Sequence, residues 1–327
     1  MKTDTSQKIL ELIRQKGEQR PDELIRELDL SAAAVHKQLK KLVASGQLRR
    51  LGKPPKVFYF LAKNVEDKPL FRSELAEFLA KKYLYEAPNG EMIYGANGFS
   101  RWLGEIGKAK EAEIYARRYQ KIRQEADKFI NKNGLIELSE KLKSTYPEVY
   151  LNQLFCLDWY SLPEFGKTRL GQLVLFAKQS QNRQLIGQIA EESKDKISRL
   201  IKDKDIKAMA FVPHSLPRQI QFLSEYRRCL KLNLPEIKLG KLRTGQVIVA
   251  QKTLNKLSER VINARETIFV ASQDKSYSAI LLIDDAVGSG ATLNETAKKL
   301  KDKKIAKKIY GFALVSSFKG FDVIREL

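Results

Sequence analysis

SAILLIDDAVGSGATLNETAKKLKDK, residues 278–303, decides how the C-terminal half of the chain is built. Residues 279–283 form an apolar run of strand length, and Asp284 and Asp285 are expected to end it. Gly288, Ser289, Gly290, Ala291 and Thr292 make a loop of small residues, and from Leu293 onward the apolar positions recur at helical spacing. A second apolar run, KKIYGFALVSS at 307–317, follows. Strand, loop, helix and strand in this order form a β-loop-α-β unit of a parallel sheet. In such sheets ligands lie outside the carboxyl ends of the strands, where this loop falls.

The loop has the composition of a phosphate cradle. Glycines let the backbone approach an anion, and a helix N-terminus offers unpaired N–H groups at the positive end of its dipole. Ser289 and Thr292 add hydroxyl donors, while Asp284 and Asp285 are placed to accept hydrogen bonds from a ribose diol or to approach a hydrated Mg²⁺. A Walker A loop is absent, and the dinucleotide fingerprint fails because Leu293 stands where its third glycine belongs. The run resembles instead the phosphoribosyl pyrophosphate (PRPP) motif of type I phosphoribosyltransferases: four apolar residues, two acids, two further residues and a Thr/Ser-rich loop ending G-x-T. Ala286 and Gly288 depart from its commonest form, which has a larger aliphatic and a hydroxyl residue there. The resemblance implies a parallel-sheet α/β fold, catalytic roles for Asp284 and Asp285, and a phosphate site formed by Ala286, Val287, Gly288, Ser289, Gly290, Ala291 and Thr292. It also implies Mg²⁺ accompanying PRPP as the cofactor.

Upstream, FVPHSLPRQIQFLSEYRRCLKLNL and QKTLNKLSERVINARETIFV resemble the ComF-like branch of that family, with Pro213, Phe222, Gln251, Leu254, Arg260, Asn263 and Phe269 at alignable positions. The resemblance spans roughly residues 155–320, without the branch's N-terminal zinc ribbon. It implies that residues 212–218 hold the pyrophosphate, with Pro213, His214, Ser215 and Arg218 as the loop's contributors. His214 either donates to the pyrophosphate or caps the following helix. A closing loop is implied at 243–256, where Lys252 and Lys256 either screen pyrophosphate charge or are solvated.

The first 63 residues read differently. Ile9, Leu10, Leu12 and Ile13 recur at helical spacing up to Gly17, and Pro21 starts a second helix. Ser31 is a good N-cap for a third, AAAVHKQLKKLVASG, in which Val35, Leu39, Leu42 and Val43 face inward. QLRRLGKPPKVFYFL then gives two strand-like runs around a tip of Gly52, Lys53, Pro54 and Pro55. The pattern resembles a winged helix-turn-helix, whose third helix enters the DNA major groove. That implies contacts to DNA from Ser31, His36, Lys37 and Lys40 on the helix and from Arg49, Arg50, Lys53 and Lys56 on the wing. Ala32 and Ala33 offer only methyl groups to base edges, so phosphate anchoring is expected to outweigh base readout. Winged helices also dock proteins, and the basic wing favours nucleic acid.

The chain of 327 residues carries 60 Lys+Arg against 39 Asp+Glu, a net charge of +21 that suits polyanionic partners. The surplus lies at the two ends, with a nearly neutral stretch at 64–150. Three domains are therefore expected: a winged helix at 1–63, a helical linker or dimerisation region at 64–150, and a phosphoribosyltransferase-like domain at 151–327. In the middle, apolar residues recur at helical spacing at 71–85 and 109–131, joined by the turn-rich APNGEMIYGANGFS, and Trp102 is expected in a core. Cys156 and Cys229 stand alone, without a C-x-x-C pair, which excludes a disulfide framework and a zinc ribbon. No apolar stretch approaches membrane-spanning length, so a cytoplasmic protein with no membrane partner is expected. Three functions fit. The first is a DNA-binding regulator, homodimeric on a palindrome, that senses PRPP or a nucleotide. The second is an active PRPP-dependent transferase. The third is a nucleic-acid handling factor of DNA uptake or repair whose cradle holds a DNA phosphate, a reading supported by the basic excess of residues 151–327, including seven lysines between Lys298 and Lys308.

Overall fold

The computed structural model describes residues 5–53, 56–61, 71–87, 90–242, 257–271 and 275–318. The chain forms two compact units, Met1–Arg72 with Glu86–Ile93, and Ser73–Tyr85 with Tyr94–Leu327.

In the first unit three helices, Thr5–Lys16, Pro21–Leu28 and Ala32–Ala44, precede an antiparallel wing of Leu48–Lys53 and Lys56–Leu61. Local chemistry sets their ends. Glu23 accepts a hydrogen bond from the Arg20 N–H at 2.7 Å, and Ser31 Oγ accepts from the Ala34 N–H at 3.3 Å. Ile9, Ile13, Leu24, Val35, Leu39 and Leu42 bury against Leu48, Val57 and Tyr59 of the wing. Gln19 and Tyr59 exchange main-chain hydrogen bonds at 3.0 and 2.9 Å, which ties the wing to the turn between the first two helices. Gly52 and Lys53, expected in the tip, belong to the first strand and pair with Val57 and Lys56. Pro54 and Pro55 lie outside the described residues.

The second unit is built on a six-stranded sheet in the order Glu236–Ile237, Ala208–Phe211, Tyr277–Val287, Ala306–Ser316, Gln153–Trp159, Ile136–Glu137. The first five are parallel and the last is antiparallel. The two central strands are buried over the apolar runs at 279–283 and 309–315, as a sheet covered on both faces requires. Helices Arg169–Ser180, Arg183–Asp203, Phe222–Leu230, Leu257–Thr267 and Ala291–Asp302 occur along this part of the chain. Leu239–Lys241 and Ile268–Val270 form a separate antiparallel pair.

The stretch 64–150 supplies helices Ser73–Lys82, Gly95–Glu105 and Ala112–Asp127 and also the edge strand Ile136–Glu137. The helix Gly95–Glu105 covers the end of a segment expected as turns. It forms because Phe99 and Leu103, four apart, bury completely, Phe99 in a ring cluster with Tyr83, Tyr119 and Phe165. Trp102 joins that cluster, 5.4 Å from Phe99 and 5.5 Å from Phe165. Cys156 is buried and Cys229 half-buried, both as free thiols. Among the described residues no helix is long and apolar enough to cross a membrane.

Candidate ligand cavity and winged-helix surface

The strand Tyr277–Val287 runs four residues further than its apolar pattern indicates. Asp284 and Asp285 were expected to end it, but Asp284, Ala286 and Val287 still pair with Ala313, Val315 and Ser316 of the neighbouring strand. Pairing on the other side stops at Ile283 opposite Phe211, where Val212 leaves the sheet. The two carboxylates therefore sit where one neighbour has ended and the other continues, which opens a space at the carboxyl ends of the parallel strands.

That space is a cavity of about 730 Å³. It is lined by all of residues 284–292 and by Pro213, His214, Ser215 and Arg218, so the two loops singled out in the sequence share one chamber. Gly290 turns the chain into the helix Ala291–Asp302 with φ of 80°, a left-handed conformation that a side chain would strain. Ser289 Oγ accepts a hydrogen bond from the Ala291 N–H at 3.4 Å, and the Tyr146 hydroxyl donates to the Ser289 carbonyl at 3.0 Å. Burial pushes that phenol up to about 12, with the bond to Ser289 opposing. Asn294 fixes the first helical turn by donating to the Glu148 carbonyl at 3.0 Å and accepting from the Tyr150 N–H at 2.8 Å. The cradle is thus held from outside.

Successive strand residues point to opposite faces, and the two aspartates meet different surroundings. Asp285 forms an ion pair with Lys178 of the helix Arg169–Ser180. Burial pushes its carboxyl up, but Lys178 and the hydrogen bonds it receives outweigh burial and hold it below the ordinary aspartate range. Asp284 is pushed well above that range by burial first and the adjacent Asp285 charge second. Lys241 Nζ donates to Ser215 Oγ at 2.8 Å, and burial lowers its pKa against the attraction of Asp284. Arg260, 5% exposed, also lines the chamber and is lowered by burial. Six lysines and arginines (178, 218, 227, 238, 241 and 260) face three carboxylates (236, 284 and 285), so the lining favours an anion.

In the 212–218 loop, Arg218 donates through Nη1 to the Lys178 carbonyl and so braces the helix that carries the partner of Asp285. His214 is exposed on the cavity wall. The next helix begins at Phe222, with Gln221 as its N-cap. The implied closing loop at 243–256, with Gln251, Lys252, Leu254 and Lys256, lies outside the described residues. The sequence signalled neither Lys178 nor Lys241, because each comes from an element whose distance from the aspartates only the fold closes.

Mg²⁺ binds through one or two carboxylates together with substrate phosphate oxygens. The donor set here fits that mode, since Asp284 and Asp285 are adjacent and open onto the cavity. Among the described residues no group of three or more His, Cys, Asp or Glu gathers as a protein-only metal cage.

On the first unit, Ser31, Ala32, Ala33, His36, Lys37 and Lys40 are all exposed on one helix, and Arg49 and Arg50 are exposed on the wing. Lys53 and Lys56 are paired in the hairpin register. Of the seven lysines at 298–308, three are engaged within the protein. Lys298 pairs with Asp302 at 2.9 Å, Lys299 donates to the Ile268 carbonyl, and Lys303 donates to the Val270 carbonyl at 2.9 Å.

Residues 2–49 match a family model described as winged helix-turn-helix DNA-binding. Among curated proteins none matches the chain. Among solved structures, a hypoxanthine phosphoribosyltransferase from Staphylococcus aureus is similar at 14% identity over 44% of this chain and 70% of that one, with a TM-score of 0.26. A hypoxanthine-guanine phosphoribosyltransferase from Bacillus anthracis is similar at 12% identity over 42% of this chain and 71% of that one, also with a TM-score of 0.26.

Proposed function

We propose that the chain is a DNA-binding transcriptional regulator, cytoplasmic and homodimeric, whose phosphoribosyltransferase-like part binds PRPP or a nucleotide as effector. It is assigned to the ComF-like branch on the residues quoted above. The carrying observation is the single cavity lined by both 284–292 and 212–218 with a cationic surplus. In this reading residues 286–292 hold the 5-phosphate on loop N–H groups and the Ser289 and Thr292 hydroxyls, Asp284 and Asp285 receive the ribose diol, and Ser215, His214 and Arg218 with Lys241 face the pyrophosphate. Magnesium accompanying the ligand would be held by Asp284 and Asp285 and would screen the pyrophosphate charge. Exposed Ser31, His36, Lys37, Lys40, Arg49 and Arg50 support the DNA face, and Lys53 and Lys56 extend the same assignment along the wing.

A second reading, phosphoribosyl transfer from PRPP to a base or amine, is favoured by the extent of the cavity. It continues past the cradle to Phe222, Leu223 and Arg227, which leaves space for an acceptor beside the ribose.

The two readings separate in one pair of measurements: duplex-DNA affinity at fixed salt with and without magnesium PRPP, and pyrophosphate release with a panel of bases. The regulator requires an altered affinity without turnover, because an effector shifts an equilibrium only through differential binding, and it requires that Thr292→Val weaken the effect. Pyrophosphate release that disappears in Asp285→Asn establishes the transferase instead. Silence in both assays overturns both and leaves DNA uptake or repair as the role of the cradle.

A further inference from the structure

A second cavity, of about 170 Å³, lies within the same α/β unit and shares no residue with the first. Lys81, Lys82, Arg123, Arg169 and Lys196 line it with Asp158 and Glu192. Helices Ser73–Lys82, Ala112–Asp127, Arg169–Ser180 and Arg183–Asp203 supply the cations, and the strand Gln153–Trp159 supplies Asp158.

The carboxylates are already taken. Arg169 holds Glu192 through two bonds of 2.9 and 2.6 Å. Arg123 Nη2 reaches Asp158 at 2.6 Å and its Nε reaches Asp127 at 2.9 Å, while Lys82 also pairs with Asp127 at 3.0 Å. Three cationic groups of the lining remain, one of them the exposed Lys81. Arg123, whose side chain is only 3% exposed, keeps a buried Nη1 with no hydrogen-bond partner among the described residues. Lys196 is half-buried and has no ion pair among the described residues. Burial lowers its pKa foremost, Asp158 opposes, and Lys82, Arg199 and Arg123 lower it further. The surplus of cations over carboxylates on the lining favours an anion, which would neutralise it.

We infer that this cavity is a second anion site, built for one tetrahedral oxyanion: a phosphate group received by the Arg123 guanidinium and the Lys196 ammonium. The size agrees, because a cavity of about 170 Å³ has room for a phosphate group. A planar guanidinium beside a mobile ammonium is the donor chemistry phosphate selects.

The test is thermal unfolding of the full chain against inorganic phosphate, with chloride holding ionic strength constant, so that saturation reports binding to the folded state. Methyl phosphate in a parallel arm separates a free anion from the terminus of a monoester. A saturable rise in midpoint that persists in Thr292→Val, whose residue belongs to the first cavity, is the expected result. Lys196→Gln should weaken that phase by about tenfold or more, and Lys196→Arg should restore it to within about threefold. The inference is overturned by a phosphate response unchanged in Lys196→Gln, by one that disappears only in Thr292→Val, or by no saturable response in wild type. The recovery in Lys196→Arg separates impaired binding from a general loss of folding.

Discussion

Burial and the Asp285 charge push the Asp284 carboxyl up, whereas Lys178 overrides burial to hold Asp285 down, and the two shifts have opposite consequences for stability. A raised folded-state pKa contributes stability below the unfolded value, near 3.9 for aspartate, and loses it as pH rises through the folded value; a depressed one does the reverse. At neutral pH Asp284 is therefore a cost to stability and Asp285 a gain. Asp284→Asn should raise the thermal midpoint at pH 7, the advantage shrinking as pH falls through the raised folded-state value toward the ordinary aspartate range and vanishing below it. Asp285→Asn should lower the midpoint at pH 7, the deficit shrinking only at more acidic pH. Unfolding of the three chains from pH 3 to 8 checks both signs. The aspartate pair was legible in the sequence because its motif is contiguous. Lys178, Lys241 and Arg123 were not, because a lone lysine or arginine in a helix or strand reads as a solvated charge until the fold brings it to a cavity.

The helix Arg169–Ser180, which positions Lys178, is set by a close main-chain approach. A methyl group on Gly171 would stand 2.0 Å from the Tyr160 carbonyl oxygen. Thr168 fixes the same corner, donating to the Trp159 carbonyl at 2.6 Å and accepting from the Gly171 N–H at 3.0 Å. Gly171→Ala should displace the helix start and cost about 1–3 kcal/mol, read as a lower urea midpoint at unchanged m-value. Element boundaries were legible where caps and apolar periods agree, as in the helix that opens after Ser31. They were misread where tertiary pairing decides. Asp284 and Asp285 carry no strand propensity, yet the neighbouring strand keeps this stretch paired; GANGFS reads as turn, yet Phe99 buries and makes it helix. The edge strand Ile136–Glu137 is too short for a pattern.

Across the whole chain the surplus of +21 favours a polyanion, and the number of phosphates its cations neutralise sets how that affinity depends on salt. In the proposed DNA complex, Lys37→Ala or Arg50→Ala should weaken binding to all duplexes alike and reduce the slope of log affinity against log salt by about 1 for each phosphate that goes unneutralised. An unchanged slope in titrations of the intact protein would assign that face to protein docking. Charge by segment made the basic N-terminal part legible without the fold. It gave no warning that the near-neutral stretch 64–150 also supplies Lys81, Lys82 and Arg123 to a cavity and an edge to the sheet, since balanced charge hides residues that congregate only after folding.

The strand Tyr277–Val287 keeps a partner on one margin after losing it on the other, and its turn into the following helix relies on Gly290. Much of what greets a guest there is peptide rather than side chain. Peptide N–H groups survive every alanine scan, so single truncations around the chamber should erode recognition toward a floor rather than abolish it. Replacing one amide by an ester would reach beneath that floor.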